Sequence, residues 1–68
     1  MNLNDWMKNQ KLTDEKMAER LGVSRSAVTH YRSGRRMPSP QTMLLIEEIT
    51  QEKVTAQDIM KNLRRVKG

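Results

Sequence analysis

The chain has 68 residues, a net charge of +5 and 35% hydrophobic residues, which suffices for the core of one small domain. It contains no cysteine and one histidine, so disulfides and thiolate metal sites are excluded, and one histidine cannot form a zinc site alone. No apolar run approaches the ~20 residues of a membrane span, and the N-terminus lacks a signal-peptide layout. We therefore expect a soluble, cytoplasmic protein without a metal or cofactor.

Positive charge is concentrated in two stretches of the chain. Residues 1–23 are electrically balanced, and residues 40–60 carry a net charge of −3. Residues 24–39 and 61–68 each contain four basic residues and no acidic residue. A patch of one sign on an otherwise balanced chain indicates a polyanionic partner. The alternative is that these charges only solvate the surface, which is the commoner role of charge runs.

The first predicted helix runs from residue 3 to about residue 10. Asn2 precedes it and can serve as its N-cap. Leu3, Trp6 and Met7 recur at helical spacing and form its inward stripe. We therefore expect Trp6 to pack in the core rather than to act as a stacking platform for a ligand.

A glycine separates two further predicted helices and gives them the outline of a helix-turn-helix. Thr13 can cap the second helix, which covers about 14–21. Gly22 ends this helix because the tight turn favours a left-handed backbone conformation that glycine adopts cheaply. Ser24 can then cap the third helix, which covers about 25–33. The pair is expected to bury Met17, Ala18, Leu21, Val23, Ala27, Val28 and Tyr31.

A fourth helix is predicted after the extended basic loop at 35–38. Ser39-Pro40 is a strong start signal, with a serine cap and a proline at the first helical position. The helix continues through Thr50, and its apolar residues occupy more than one side. Such a helix lies between two packing layers or meets another molecule. One line of apolar residues contains Met43 and Ile46, and the other contains Leu45 and Ile49.

A short fifth helix completes the predicted fold. Thr55 can cap it, with Asp58 three residues later as a carboxylate version of the capping box. Ile59 and Met60 are expected to return to the core. The basic tail at 63–68 has little to bury and is expected to be flexible. No alternating apolar run suggests a strand, so the fold class is all-α.

The segment from Thr13 to Pro38 resembles the helix-turn-helix of the phage Cro and lambda-type repressor superfamily. The matching residues are Ala18, Gly22, Val23, Val28, Tyr31 and the stretch Ser33–Ser39. Residues 46–59 are similar to the last part of small Cro-like and YdaS-like regulators. The resemblance extends over about 3–62 and implies a compact, five-helix, lambda-repressor-like DNA-binding domain over 1–62. Many members place a glutamine at the start of the second helix, where it braces against a phosphate, but this chain has Asp14-Glu15.

The resemblance implies that the third helix enters the major groove of double-stranded DNA. If its apolar residues face the core, helical geometry turns four polar residues outward as candidates for base contacts. These are Arg25, Ser26, Thr29 and His30. Arginine can donate two hydrogen bonds to guanine O6 and N7, so Arg25 is the first candidate. It could instead bind only phosphate, and His30 could be a surface residue without a DNA contact.

A second set of residues is expected to hold phosphates around the groove. These are Ser24, Arg32, Arg35 and Arg36. Such contacts fix the position of the protein and make affinity fall with salt, without reading sequence. For Arg32 the alternative is a salt bridge with a neighbouring acid.

One copy of the unit reads only a few base pairs, so a homodimer on a palindromic operator is expected. The candidate dimer surface comprises the surplus apolar residues Leu45, Ile49 and Val54. By analogy with the family, a one-domain regulator in the bacterial cytoplasm or nucleoid suits the role of a phage Cro-like repressor. No small-molecule ligand is expected.

Two other functions share these sequence features. The same fold can serve as an antitoxin or a protein-docking module. Single-stranded nucleic-acid binding usually needs exposed aromatics, whereas Trp6 and Tyr31 occupy apparent core positions. An enzyme is not expected, because the chain has one histidine, no cysteine, no phosphate-binding glycine loop and acids scattered at cap positions.

Overall fold

The computed structural model describes residues 1–63, which form five α-helices and, over that range, no β-strand. The helices are α1, Leu3–Gln10; α2, Asp14–Leu21; α3, Arg25–Ser33; α4, Pro40–Ile49; and α5, Ala56–Asn62. This confirms the predicted all-α, five-helix fold. The fourth helix stops one residue before the predicted end, with Thr50 as its C-cap. Beyond Leu63, the predicted flexible tail lies outside the described residues.

Each of these five helices begins at a polar side chain that accepts a hydrogen bond from a backbone N–H three residues later. The five caps are Asn2, Thr13, Ser24, Ser39 and Thr55, with donor–acceptor distances between 2.8 and 3.3 Å. The Asp58 carboxylate accepts from the Thr55 N–H in return, which completes the predicted capping box. A cap of this kind typically stabilises a helix by ~1 kcal/mol. Short-range side chains therefore determine where these helices start.

One apolar core lies between the helices. It contains Leu3, Trp6, Met7, Met17, Ala18, Leu21, Ala27, Val28, Tyr31, Met43, Ile46, Val54 and Ile59. Trp6 is buried, as predicted. Met60 is 56% exposed, so the prediction that it returns to the core is wrong. Within the described part of the chain, no helix has the length and apolarity that crossing a membrane requires.

The link between α4 and α5 turns the chain sharply inward. Gln51 and Glu52 both adopt positive φ angles, 55° and 63°. The buried Thr50 hydroxyl donates to the Ile46 carbonyl at 2.7 Å and accepts from the Val54 N–H at 3.2 Å. Val54 is consequently 0% exposed. The prediction that Val54 belongs to a dimer surface is therefore wrong, because the turn places it in the core.

The two sides of α4 have different environments. Met43 and Ile46 are buried against the other helices. Leu44 is 65% exposed and Leu45 37% exposed, and Ile49 is half-buried against the core. The helix thus covers the core with one side and leaves exposed apolar residues on the other, so within residues 1–63 it does not lie between two packing layers.

Candidate nucleic-acid interface

The third helix is amphipathic, and its apolar side is anchored in the core. Val28 is 0% exposed, and Ala27 and Tyr31 are also buried. Arg25 and Ser26, in the first turn of the helix, are exposed. The helix thus places polar side chains at its exposed N-terminal end, where a helix in the major groove contacts base edges.

The turn before α3 sets the angle between α2 and α3. Gly22 caps α2 at φ 68°, and its N–H donates to the Ala18 carbonyl. A Cβ on Gly22 would have no atom within 4 Å, so the glycine is needed for its backbone conformation and not for space. Ala18 is buried where the two helices pack. The Ser24 Oγ accepts from the Ala27 N–H at 3.1 Å and starts α3 directly after the turn.

A polar cluster joins the start of α2 to the outer side of α3. The Thr29 hydroxyl donates to one carboxylate oxygen of Asp14 at 2.6 Å and is 3.1 Å from the Arg25 carbonyl. The Arg32 guanidinium forms a salt bridge with the other Asp14 oxygen. The Nε of Arg32 also donates to the Asn4 side chain on α1 at 2.9 Å. The Asp14 carboxylate thus links α2 to α3, and Arg32 links α3 to α1.

The Asp14 carboxylate is stabilised in its charged form. Burial raises the Asp14 pKa, but hydrogen bonds from Thr29 and Arg32 and the charges of Arg32 and Arg25 outweigh burial and lower the pKa below its ordinary value. Asp14 is therefore ionised at neutral pH and acts only as a hydrogen-bond acceptor.

The four arginines of the basic block, which comprises residues 24–39, differ in their partners. Arg32 is half-buried and forms a salt bridge with Asp14, the predicted alternative to a phosphate contact. Arg25, Arg35 and Arg36 are exposed, and none takes part in a salt bridge with another residue in the range 1–63. Three free guanidinium groups therefore remain around the N-terminal end and the exit of α3.

The remaining predicted site residues are placed less uniformly. Ser24 and Thr29 are exposed, whereas His30 is half-buried. The roles of Asp14 and Asn4 in the cluster were not predicted from the sequence. The sequence held one signal for Asp14, because the family resemblance implies a glutamine at the start of the second helix, where this chain has Asp14-Glu15. The described residues contain no group of three or more histidines and acids that could hold a metal ion.

The comparison with protein families matches residues 3–56 to the model described as helix-turn-helix. The chain belongs to this helix-turn-helix family. The match confirms the predicted resemblance to the Cro-like superfamily and agrees with the expectation that the chain is not an enzyme.

One curated relative is the uncharacterised HTH-type transcriptional regulator YqaE of Bacillus subtilis (strain 168). It is 42% identical to this chain over 48 residues, which are 71% of this chain and 41% of the relative. The chain thus spans less than half the length of the curated relative. No solved structure matches the chain.

Proposed function

We propose that this chain is a sequence-specific transcriptional regulator that inserts the N-terminal part of α3 into the major groove of double-stranded DNA. The observation that carries the proposal is the two-sided α3, with Val28 in the core and Arg25 and Ser26 exposed at its first turn. The free arginines around this helix supply the charge that a phosphate backbone attracts. Membership of the helix-turn-helix family supports the same mode of binding.

The contacts divide into base reading and phosphate binding. Arg25 has no carboxylate partner among residues 1–63, and a free guanidinium can donate two hydrogen bonds to guanine. Ser26 adjoins it on the first turn and offers a hydroxyl to a base or phosphate. His30 is a third candidate, limited by its half-buried position. Arg35 and Arg36 follow α3 on an exposed loop and are assigned to phosphates, with the Ser24 hydroxyl at the groove edge.

A duplex selection tests sequence-specific binding. The purified chain selects fragments from a random double-stranded pool, and the enriched site is then titrated with wild type and Arg25→Ala. Loss of a bidentate contact should weaken binding to that site by about 1–3 kcal/mol and relax the preference at one base pair. Lys53→Ala removes the same charge from an exposed position between α4 and α5 and should keep the preference. Equal losses on selected and random DNA for Arg25→Ala would contradict base reading.

We further propose that the regulator acts as a phage Cro-like repressor in the bacterial cytoplasm or nucleoid, and that two copies bind a palindromic operator. Half-sites would then be about 34–36 Å apart. The exposed apolar strip of α4, formed by Leu44, Leu45 and Ile49, is the proposed dimer surface. An exposed apolar strip of this kind often marks an interface between molecules.

The site recovered from the selection also tests the dimer. A palindrome should emerge, and Leu44→Glu should abolish cooperative binding to it while leaving affinity for one half-site unchanged. Gln57→Glu, which adds the same charge to an exposed position of α5, is the control. Single, unpaired half-sites bound by wild type would contradict the palindromic operator. A chain that enriches no duplex but retains a protein partner in high salt would favour the protein-docking module.

A further inference from the structure

The side chain of Thr29 has one hydroxyl hydrogen, and two acceptors compete for it. The nearer is the Asp14 carboxylate at 2.6 Å, and the other is the Arg25 carbonyl at 3.1 Å. Neither group can donate a hydrogen bond, because the carboxylate is ionised and a carbonyl carries no hydrogen. The hydrogen of Thr29 is therefore directed into the protein, and its oxygen lone pairs and methyl group remain for an outside partner.

We propose that Asp14 is a positioning residue that determines which base Thr29 can read and keeps Arg32 away from the phosphate backbone. The inference rests on the proposed function, because it assumes that α3 lies in the major groove.

The base that Thr29 reads follows from the direction of its hydrogen. A hydroxyl that has already donated can only accept, so in the major groove it pairs with the exocyclic amine of adenine or cytosine. It cannot donate to guanine O6 or N7, to thymine O4 or to a phosphate oxygen while Asp14 holds its hydrogen. Thr29 therefore favours an amine-bearing base at one position of the site.

The second part of the proposal concerns Arg32. Its Nη1 is bound to Asp14, and its Nε donates to Asn4 at 2.9 Å, so two of the three nitrogens of the planar group are engaged inside the protein. Arg32 is also half-buried, unlike the other three arginines of the basic block. Asp14 thus removes one of four arginines from the charge available to DNA. Without Asp14, Arg32 would be free to bind a phosphate.

Thr29 variants identify the base pair in question. In the duplex selection, Thr29→Val removes the hydroxyl and keeps a methyl group, so the preference for adenine or cytosine at one position should fall about fivefold. Thr29→Ser keeps the hydroxyl and should retain that preference. Conversely, a preference at that position that survives in Thr29→Val and disappears in Thr29→Ser would show that the methyl group reads the base, and would overturn the assignment.

Asp14 variants then test the coupling. In Asp14→Ala only the longer contact with the Arg25 carbonyl, at 3.1 Å, is left to hold the Thr29 hydrogen, so guanine or thymine should be accepted more often at the same base pair. Introduced into Thr29→Val, the same change should have no further effect there. Asp14→Ala should also steepen the dependence of log affinity on log salt by about 0.9, the contribution of one added phosphate contact. Asp14→Asn keeps an acceptor for Thr29 but loses the charge, so it should change the salt dependence and keep the base preference.

Glu15→Ala is the matched control, because it removes the same charge from the next residue of α2. Glu15 takes part in no salt bridge between residues 1 and 63. As a control, circular dichroism should show that each variant is folded at the temperature of the binding assay. An Asp14→Ala protein that is folded and keeps both the wild-type base preference and the wild-type salt dependence would overturn the inference. A wild type that selects no duplex would refute the proposed function instead.

Discussion

Arg32 and Arg35 lie three residues apart, at the end of α3 and just after it. They should contribute differently to DNA binding, although substitution of either by alanine removes one positive charge. Arg35 is exposed and has no carboxylate partner within the described range, whereas Arg32 is bound to Asp14 and Asn4. Each phosphate neutralised by a protein cation contributes ~0.9 to the slope of log affinity against log salt. Arg35→Ala should therefore reduce that slope by ~0.9 per protomer, and Arg32→Ala should leave it nearly unchanged.

The expected difference is large enough to measure. A slope change of ~0.9 corresponds to a ~3.5-fold smaller loss of affinity when salt rises fourfold, for example from about 50 to 200 mM. Fluorescence anisotropy with a labelled random duplex suffices, because phosphate contacts do not depend on sequence. Since both variants lose one positive charge, long-range attraction changes equally in both. If Arg32→Ala, verified as folded, reduced the slope as much as Arg35→Ala does, the reasoning from the salt bridge would be refuted.

Three further predictions concern stability. Gly22→Ala should lower the free energy of unfolding by about 1 kcal/mol, because alanine is strained at φ 68° but would meet no atom within 4 Å. If urea denaturation showed a decrease several times larger, the glycine would have a steric role. Thr50→Val should cost about 1–2 kcal/mol, since the buried Val54 N–H loses its acceptor, and faster hydrogen exchange of the Val54 amide would report this. The lowered pKa of Asp14 stabilises the fold fully above the ordinary carboxyl pKa, and this contribution is lost as pH falls through the lowered value. Thermal unfolding of Asp14→Asn should therefore depend less on pH below about pH 4 than that of wild type, and identical profiles would exclude the mechanism.

The helix limits could be predicted because their signals are local. Each cap accepts from an N–H only three residues away, so a short stretch of sequence contains both partners. The outward direction of Arg25 could be predicted for the same reason, since helical periodicity and the buried Val28 determine it. The contact of Arg25 with DNA remains a prediction.

The sequence was least informative where distant residues meet or where the backbone takes an unusual path. Arg32 and Asp14 are 18 residues apart, so the sequence could offer a salt bridge only as one of two alternatives. The burial of Val54 could not be predicted, because glutamine and glutamate give no signal for the positive φ angles of Gln51 and Glu52. Those two residues turn the chain so that Val54 enters the core.

The separation of anchoring and outward-facing residues on α3 has an evolutionary consequence. The residues that start the helix and anchor it, Ser24 and Val28, are separate from Arg25 and Ser26, which face outward and make no anchoring contact. Substitutions of exposed residues without such contacts usually change the free energy of unfolding by less than ~0.5 kcal/mol. Under the proposed function, Arg25 and Ser26 could therefore diverge to recognise new operators at little cost to the fold. Thr29 is less free to diverge, because a change there also alters the surroundings of Asp14.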